Sequence, residues 1–288
     1  MNVARSPDDD VGTLPGIRAK RREAFAKMGV ETLDDLLRLA PRRYEDRRHA
    51  RPIAELEDGD SVLVLGHVAG SKAFRTRGGI AILEAKVEDE HGGALTARWF
   101  YRGFRPRPLE QGKRVALYGV VTRTKTGKVE MKAPELERLP DDEQEGPGVG
   151  RFVPVHPKTT GLSASMVRRA VWDALGAAGD VHDPVPPSVR DAASLPALGE
   201  ALAALHFPDD LEAAEAARAR LAFDELLVHE LLLARRRTAR QTQRAPSIAF
   251  PDRVHERIRA RLPFTLTPGQ EEAVAEIVAD LERPAPMY

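Results

Sequence analysis

The chain has no cysteine, which excludes disulfide staples, thiol catalysis and cysteine-ligated zinc or iron–sulfur centres. No apolar run approaches the ~18 residues that a membrane-spanning helix needs. The opening MNVARSPDDD lacks the apolar stretch of a secretory signal, so a cytoplasmic protein with no membrane partner is expected. Net charge is also missing: 44 basic and 44 acidic side chains cancel, and no long-range field selects a partner. Aromatic residues are few, at 5%, which gives weight to any place where they concentrate. What remains is a globular balance of 42% hydrophobic and 31% charged residues, at a length of 288 that favours two or three modules. A monomer is expected.

Residues that would carry catalysis are not assembled either. In TRTKTGKV (122–129), Gly127 and Lys128 echo a phosphate-binding loop, but Thr122 stands where the first glycine belongs and Val129 where the magnesium-binding hydroxyl belongs. The stretch also lies between two strand-like runs, so it reads as a hairpin turn. His49, His67, His91, His156, His182, His206, His229 and His255 are scattered without metal-ligand spacing, and no metal site is expected. Asp224 and Glu225 sit inside a long helical pattern with no phosphate loop upstream. No catalytic residue is assigned.

Local charge is more telling than the total. Between Arg98 and Lys132 ten Lys/Arg stand against Glu110 and Glu130 alone, whereas residues 139–215 carry thirteen acids and five bases, so a polyanion would meet the first segment. The pattern of elements changes along the same stretch. Leu14 to Leu39 reads as two short helices, with Ile17, Phe25 and Met28 inward and Thr32 capping the second. The pair is compatible with half of a helix-hairpin-helix whose turn amides face a phosphate, or with a plain packing unit. The arginines of RRYEDRR (42–48) could grip phosphates or pair with the neighbouring acids, with Tyr44 as the packing anchor. From Asp60 to Arg138 five runs, SVLVLGHVAG, IAILEAKVEDE, GALTARWFY, KRVALYGVVTRT and KVEMKAPELERL, have strand composition and are separated by turn signals. Five strands with a longer excursion before the fourth fit an oligonucleotide-binding (OB) barrel, with Gly66 and Gly119 easing its sharp bends. A generic sandwich or SH3-like barrel is the alternative. DDEQEGPGVG (141–150) reads as a hydrophilic linker, and the chain after it is mainly helical: a stripe of Met166, Val167, Ala170, Val171 and Ala174, then a long helix that starts acidic and ends in Arg235, Arg236, Arg237, Arg240 and Arg244. Those arginines are a phosphate stripe or a solvated helix end.

The scarce aromatics concentrate at Trp99, Phe100, Tyr101 and Phe104, interleaved with Arg98, Arg102, Arg105 and Arg107. Alternation along a strand buries one of Trp99 and Phe100 and exposes the other. Exposed rings beside guanidinium groups suit base stacking and phosphate contact, while a purely structural reading puts all four in the core. The candidate DNA contacts are Phe100, Tyr101, Arg102, Phe104, Arg105 and Arg107, with Lys125 and Lys128 of the TKTGK turn and Arg42 and Arg43. A barrel of this class can instead serve as a protein-interaction module, for example for single-strand-binding protein.

LPGIRAKRREAFAKMGVETLDDLLRLAPRRYEDRR, ARWFYRGF, GKRVALYGVV, FVPVHPKTTGLS, ALAALHFP, ARARLAFDELLVHELLL and RLPFTLTPGQEEAVAEIVADLERPAPM occur in one order, and together they resemble the RecG family of bacterial ATP-dependent DNA helicases. The resemblance covers essentially everything after residue 11. It implies N-terminal helices (1–52), an OB-fold wedge domain (53–140), a linker and entry segment (141–160), a helical region (161–250) and the incomplete start of a motor domain (251–288). It also implies binding to branched DNA at replication forks and Holliday junctions, in fork remodelling, recombination and repair. Phe100 falls in the family's tryptophan–phenylalanine pair and Phe104 near the aromatic after it. The family usually places a small polar residue after that pair, where this chain has Tyr101, which leaves open whether Tyr101 or Phe104 is the stacking ring. Phe264, Thr267 and Gln270 match the motor's entry segment, where such a glutamine reads adenine. The resemblance thus implies a truncated helicase, inactive by itself, with ATP and Mg2+ belonging to the full-length protein.

Overall fold

A computed structural model describes residues 5–104, 106–140, 146–157, 159–179, 181–241, 244–249 and 251–284. Two compact units divide the chain, Met1–Leu221 and Ala222–Tyr288. The first opens with α1 (Ala19–Ala26) and α2 (Leu33–Leu37). Thr32 and Asp35 cap α2 reciprocally, each side chain accepting the other's amide, at 3.1 and 2.9 Å. Leu33, Leu36 and Leu37 can then pack with Phe25 in a helical core. The short strand β1 (Arg43–Asp46) comes next.

The barrel comprises β2 (Ser61–Arg75), β3 (Ala81–Glu88), β4 (Ala94–Tyr101), β5 (Arg114–Arg123), β6 (Val129–Lys132) and β7 (Glu135–Arg138). Its order is β2-β3-β4-β6-β5, closed by pairing of β5 with β2, and β4–β6 is the parallel pair. The expected five-stranded barrel is therefore present, with two differences. The first strand runs on to Arg75, well past Gly70, with a bulge between Val68 and Gly70. The fifth breaks in two, because Ala133 adopts φ 48° and Pro134 has no N–H to give a ladder. β6 consequently pairs with β4 and the end of β5, while β7 pairs with the beginning of β5. Gly66 and Gly119 sit where expected: a Cβ at 66 would lie 2.5 Å from the Glu88 carbonyl oxygen, and one at 119 would lie 3.2 Å from Pro134. The strict alternation of β3 sends Ala81, Leu83, Ala85 and Val87 inward to meet Leu95, Ala97 and Met131.

Beyond the barrel, β8 (Phe152–Val155) returns to pair antiparallel with β1 as a separate two-stranded ribbon. Then come α3 (Ala164–Ala177), α4 (Pro187–Ala192), α5 (Leu198–His206) and α6 (Leu211–Gln241), whose later part belongs to the second unit with α7 (Asp252–Arg259) and α8 (Pro268–Leu281). Val167, Ala170, Val171 and Ala174 of α3 are buried as expected, but Met166 is exposed and Arg168 is buried instead. The reason is a second buried face: Arg168 ion-pairs with Glu135 of β7, which also accepts from Arg47 at 2.9 Å. Arg47 is held besides by Glu45 at 2.6 Å and lies 3.7 Å over the Tyr118 ring. The same contact zone explains a further departure. Gly146–Val149, expected as part of a solvated linker, are buried, with Val149 packed on Leu63, Ala116 and Leu139 and the glycines against Glu137. Residues 141–145 of that stretch lie outside the described residues.

A pair of histidines joins the ribbon to the helices. His156 Nε2 lies 3.1 Å from His206 Nδ1, and His206 Nε2 donates to the Leu37 carbonyl at 2.8 Å. Burial holds both rings neutral, pushing His156 down to about 3 and His206 to about 4. Both folded values lie below the unfolded value near 6.5, so the unfolded chain binds the extra protons. Stability is then full above about pH 6.5 and falls as pH drops towards 4, by up to about 1.4 kcal/mol per unit for each histidine. Urea titrations at pH 7, 6 and 5 are expected to show this slope, and His156→Gln to flatten it; an unchanged slope in that variant would reject the assignment.

Candidate nucleic-acid interface

The alternation of β4 decides the aromatic cluster. Trp99 points inward, 8% exposed, and its Nε1 donates to the Pro134 carbonyl at 2.7 Å. That bond anchors the ring to the break between β6 and β7. Phe100, one residue on, must face outward and is 51% exposed. Tyr101 returns to the inner phase at the barrel's mouth, where it is half-buried against the core. Desolvation raises its hydroxyl pKa. Phe104, in the excursion after β4, is 56% exposed and packs its ring 5.0 Å from that of Tyr101 at 58°. The four rings are thus not a common core: Trp99 is structural, Tyr101 is a support, and Phe100 and Phe104 present free faces.

The cations sort by their partners. Arg98 is committed to Glu84 at 2.6 Å and to Glu130 at 2.7 Å, and Lys72 also pairs with Glu84, at 2.9 Å. These bonds hold the Glu84 carboxyl below its ordinary range. Arg102 and Arg107 are exposed and have no ion pair among the described residues, while Arg105 lies outside the described residues. Arg75 and Arg77 are likewise exposed and without an ion pair among the described residues. They stand at the end of β2 and in the turn after it, and Arg75 pairs through Ala81 with Tyr101 across the sheet. They therefore share the aromatic end of the barrel. Sequence reasoning missed them and Phe74, although the RTRGG turn was visible.

Lys125 and Lys128 are exposed at the β5–β6 hairpin, where the Gly127 amide donates to the Thr124 carbonyl at 2.8 Å. The stretch is a turn between strands, as its neighbours in sequence imply. Val129 pairs with Leu95, so this turn sits by the start of β4, about 20 Å along the strand from Tyr101 at ~3.3 Å per residue. Arg43 opens β1 and is paired with Glu45 at 2.8 Å, and Arg42, just before the strand, donates its amide to the Val155 carbonyl at 2.9 Å. The structure groups Phe100, Tyr101, Arg102 and Phe104 and sets Arg42, Arg43, Lys125 and Lys128 apart, with Arg107 beside Val68 and Arg114. It also chooses between the readings of the helical pair: every amide from Met28 to Asp35 donates within the chain, to Phe25, Ala26, Asp9 and Pro7 carbonyls, the Asp35 carboxylate or the Thr32 hydroxyl. None is left for a phosphate, which makes the pair a packing unit.

In the second unit, Gln270 is the third residue of α8, and its side-chain oxygen accepts the Thr267 amide at 2.9 Å. Phe264 is exposed. A carboxamide oxygen has a second lone pair, and the Gln270 amino group has no partner among the described residues, so the donor–acceptor edge suited to a purine remains. Among the described residues no His/Asp/Glu group is arranged for a metal ion, and no helix is long and apolar enough to cross a membrane.

Residues 13–178 match the profile of the RecG wedge domain. The ATP-dependent DNA helicase RecG of Synechocystis is 33% identical over 90% of this chain and 33% of its own length. That of Escherichia coli K12 is 32% identical over 96% of the chain and 40% of its own length. The chain therefore spans a third to two-fifths of these relatives. A solved structure of RecG bound to a three-way DNA junction superposes with a TM-score of 0.68 at 26% identity, covering 100% of this chain and 39% of that one.

The split between anchor and platform predicts different costs. Trp99→Ala is expected to lower unfolding free energy by about 3–5 kcal/mol, whereas Phe100→Ala should cost under about 0.5 kcal/mol. Urea titration measures both, and equal losses would mean that both rings are core.

Proposed function

Because the chain belongs to the RecG wedge domain family, we propose that it recognises branched DNA, replication forks and Holliday junctions, by the aromatic end of its barrel. It is, in this reading, the wedge portion of an ATP-dependent DNA helicase that acts in fork remodelling, recombination and repair. The observation that carries the proposal is the pair of exposed phenyl rings, Phe100 and Phe104, set beside Arg102 on a closed OB barrel, with Arg107 further along the same excursion, both arginines exposed and without an ion pair among the described residues. Junctions differ from plain duplex in offering unstacked bases. A duplex hides its base faces, so rings on a rigid barrel can only gain stacking energy where strands part. The arginines supply contacts to phosphate that are indifferent to sequence. Tyr101 takes the supporting role and Phe104 the stacking role, since the first is packed on the core and the second is free. Lys125 and Lys128, some 20 Å away along β4 at ~3.3 Å per residue, would touch a different arm of the junction from the one at Phe104.

Strand separation needs energy, and in the full-length protein ATP with Mg2+ would supply it. Phe264 and Gln270 would contribute the adenine end of that site, by stacking and by the free carboxamide edge.

Phe104→Ala is expected to weaken binding to a three-way fork by about 1–3 kcal/mol and to leave plain duplex nearly unchanged. Competition binding at fixed salt checks this, and a uniform loss on both substrates would make the ring structural. Affinity for single-strand-binding protein with no affinity for DNA would overturn the proposal in favour of a protein-interaction module.

Arg102→Ala or Arg107→Ala should weaken fork and duplex alike and make the slope of log K against log salt shallower by about 1 each. Arg98→Ala, whose guanidinium is committed to two carboxylates, should leave the slope unchanged. A salt series with the three variants distinguishes phosphate contacts from structural arginines.

A further inference from the structure

Phe74 lies near the end of β2, in a segment whose register places it opposite Ile82 of β3, which is itself opposite Phe100 of β4. The three residues form one row across three adjacent strands. The flanking inward row, Ala73, Leu83 and Trp99, is buried, so the Phe74 row is on the outer face of the barrel. Phe74 is 38% exposed and Phe100 51%, with Ile82 partly buried between them. Adjacent strands are about 4.8 Å apart, so the two rings stand about 10 Å from each other with apolar surface throughout. In the neighbouring outward row Lys72 and Arg98 both ion-pair with Glu84, so that carboxylate is not free to repel a polyanion, and the Lys72 ammonium lies 5.7 Å from the Phe74 ring centroid, a further cation beside the strip. At the other side of the row stand Arg77, in the turn after β2, and Arg102, after β4, exposed and without an ion pair among the described residues, while Arg75 falls in the inward row of Ala81 and Tyr101.

We propose that Phe74 is a further base-stacking platform, and that a single unpaired DNA strand crosses the sheet from Phe100 over Ile82 to Phe74, with its phosphates towards Arg77 and Arg102. The inference rests on the reading of this face as a branched-DNA site and adds to it the kind of arm the face receives: a single strand with splayed bases. Several features favour nucleic acid over an apolar peptide as the occupant. The apolar strip is one residue wide, its ends are flat rings, and one long side is flanked by Arg77 and Arg102, which have no ion pair among the described residues. A packed apolar peptide would need a broader patch, whereas bases stacked on separate aromatic rings need only faces and a cationic track. The row runs across the strands, so two bases can be held in succession by a surface only three strands wide.

The test uses the whole chain and a three-way fork with one single-stranded arm, carrying 2-aminopurine at successive unpaired positions near the branch. The unsubstituted protein is expected to change the fluorescence at two separate positions. Phe100→Ala should abolish the response at the branch-proximal one and Phe74→Ala at the distal one. Phe74→Ala should also weaken binding to this fork about tenfold, within the range for one stacked base, and leave a fully duplex three-way junction unaffected. Phe74→Trp should restore both signals, and Phe74→Leu, which keeps apolar area without a π face, should not. A Phe74→Ala protein with the unsubstituted fluorescence pattern and affinity overturns the proposal, as does full rescue by Leu. If Phe100→Ala loses fork preference while Phe74→Ala keeps it, only the second platform fails. If the unsubstituted protein has no preference for forks over duplex, the reading of the whole face fails and this inference with it.

Discussion

A buried ion-pair cluster ties the barrel to the helices of its unit, and the geometry of the proposed wedge depends on it. Glu135 of β7 is gripped from two directions, by Arg47 beyond the β1–β8 ribbon and by Arg168 from α3. Both arginines are nearly inaccessible to water. Such a contact adds little net stability over an apolar one of equal shape, because each ion loses its hydration. Its value lies in direction. Removing one partner leaves a charge stranded in the interior, at about 3–5 kcal/mol, which disfavours orientations of the barrel against α3 that would break the pair. An edge proposed to meet a DNA branch at a fixed angle would need that definition, which greasy packing alone does not supply.

A second constraint comes from the same strand. The break at Ala133 and Pro134 divides the fifth barrel strand, and the half beyond it carries Glu135 into the clamp. The carbonyl of Pro134 is the acceptor for Trp99. One backbone irregularity therefore serves both the attachment of the barrel and the orientation of its aromatic edge. With Trp99 tied inward, Phe100 has no alternative but to face out, and Tyr101 to close the mouth of the barrel beneath Phe104.

The electrostatic layout is consistent with a single working face. Acids near the aromatic edge are consumed: Glu84 by Lys72 and Arg98, Glu130 by Arg98. On the helical side the amides of the α1–α2 turn are equally consumed, by carbonyls and by Asp35. Donors that a phosphate could use are in this way withdrawn from the helical pair, while guanidinium groups with no ion pair among the described residues remain at the end of the barrel where β2 and β4 finish.

Much of this was legible in the sequence. Period-two alternation and turn residues specify local conformation directly, so the barrel, the Thr32 cap, all of the α3 core stripe but Met166 and the opposite fates of Trp99 and Phe100 could be read, though not which of the two is buried, as could the crowding at Gly66 and Gly119. Other features needed the fold, because they depend on residues far apart in the chain. The burial of Arg168 and exposure of Met166 result from where Glu135 lies, and the burial of Gly146–Val149 from the Leu63 and Leu139 surface they cover. The approach of His156 to His206 spans 50 residues of sequence, and neither ring's neighbourhood announces it. Phe74 and Phe100 are likewise separate until the register of β2, β3 and β4 places them in one row. Composition and periodicity determined which segments become strands and which side chains turn outward; only the pairing of those strands decided which outward side chains share a face.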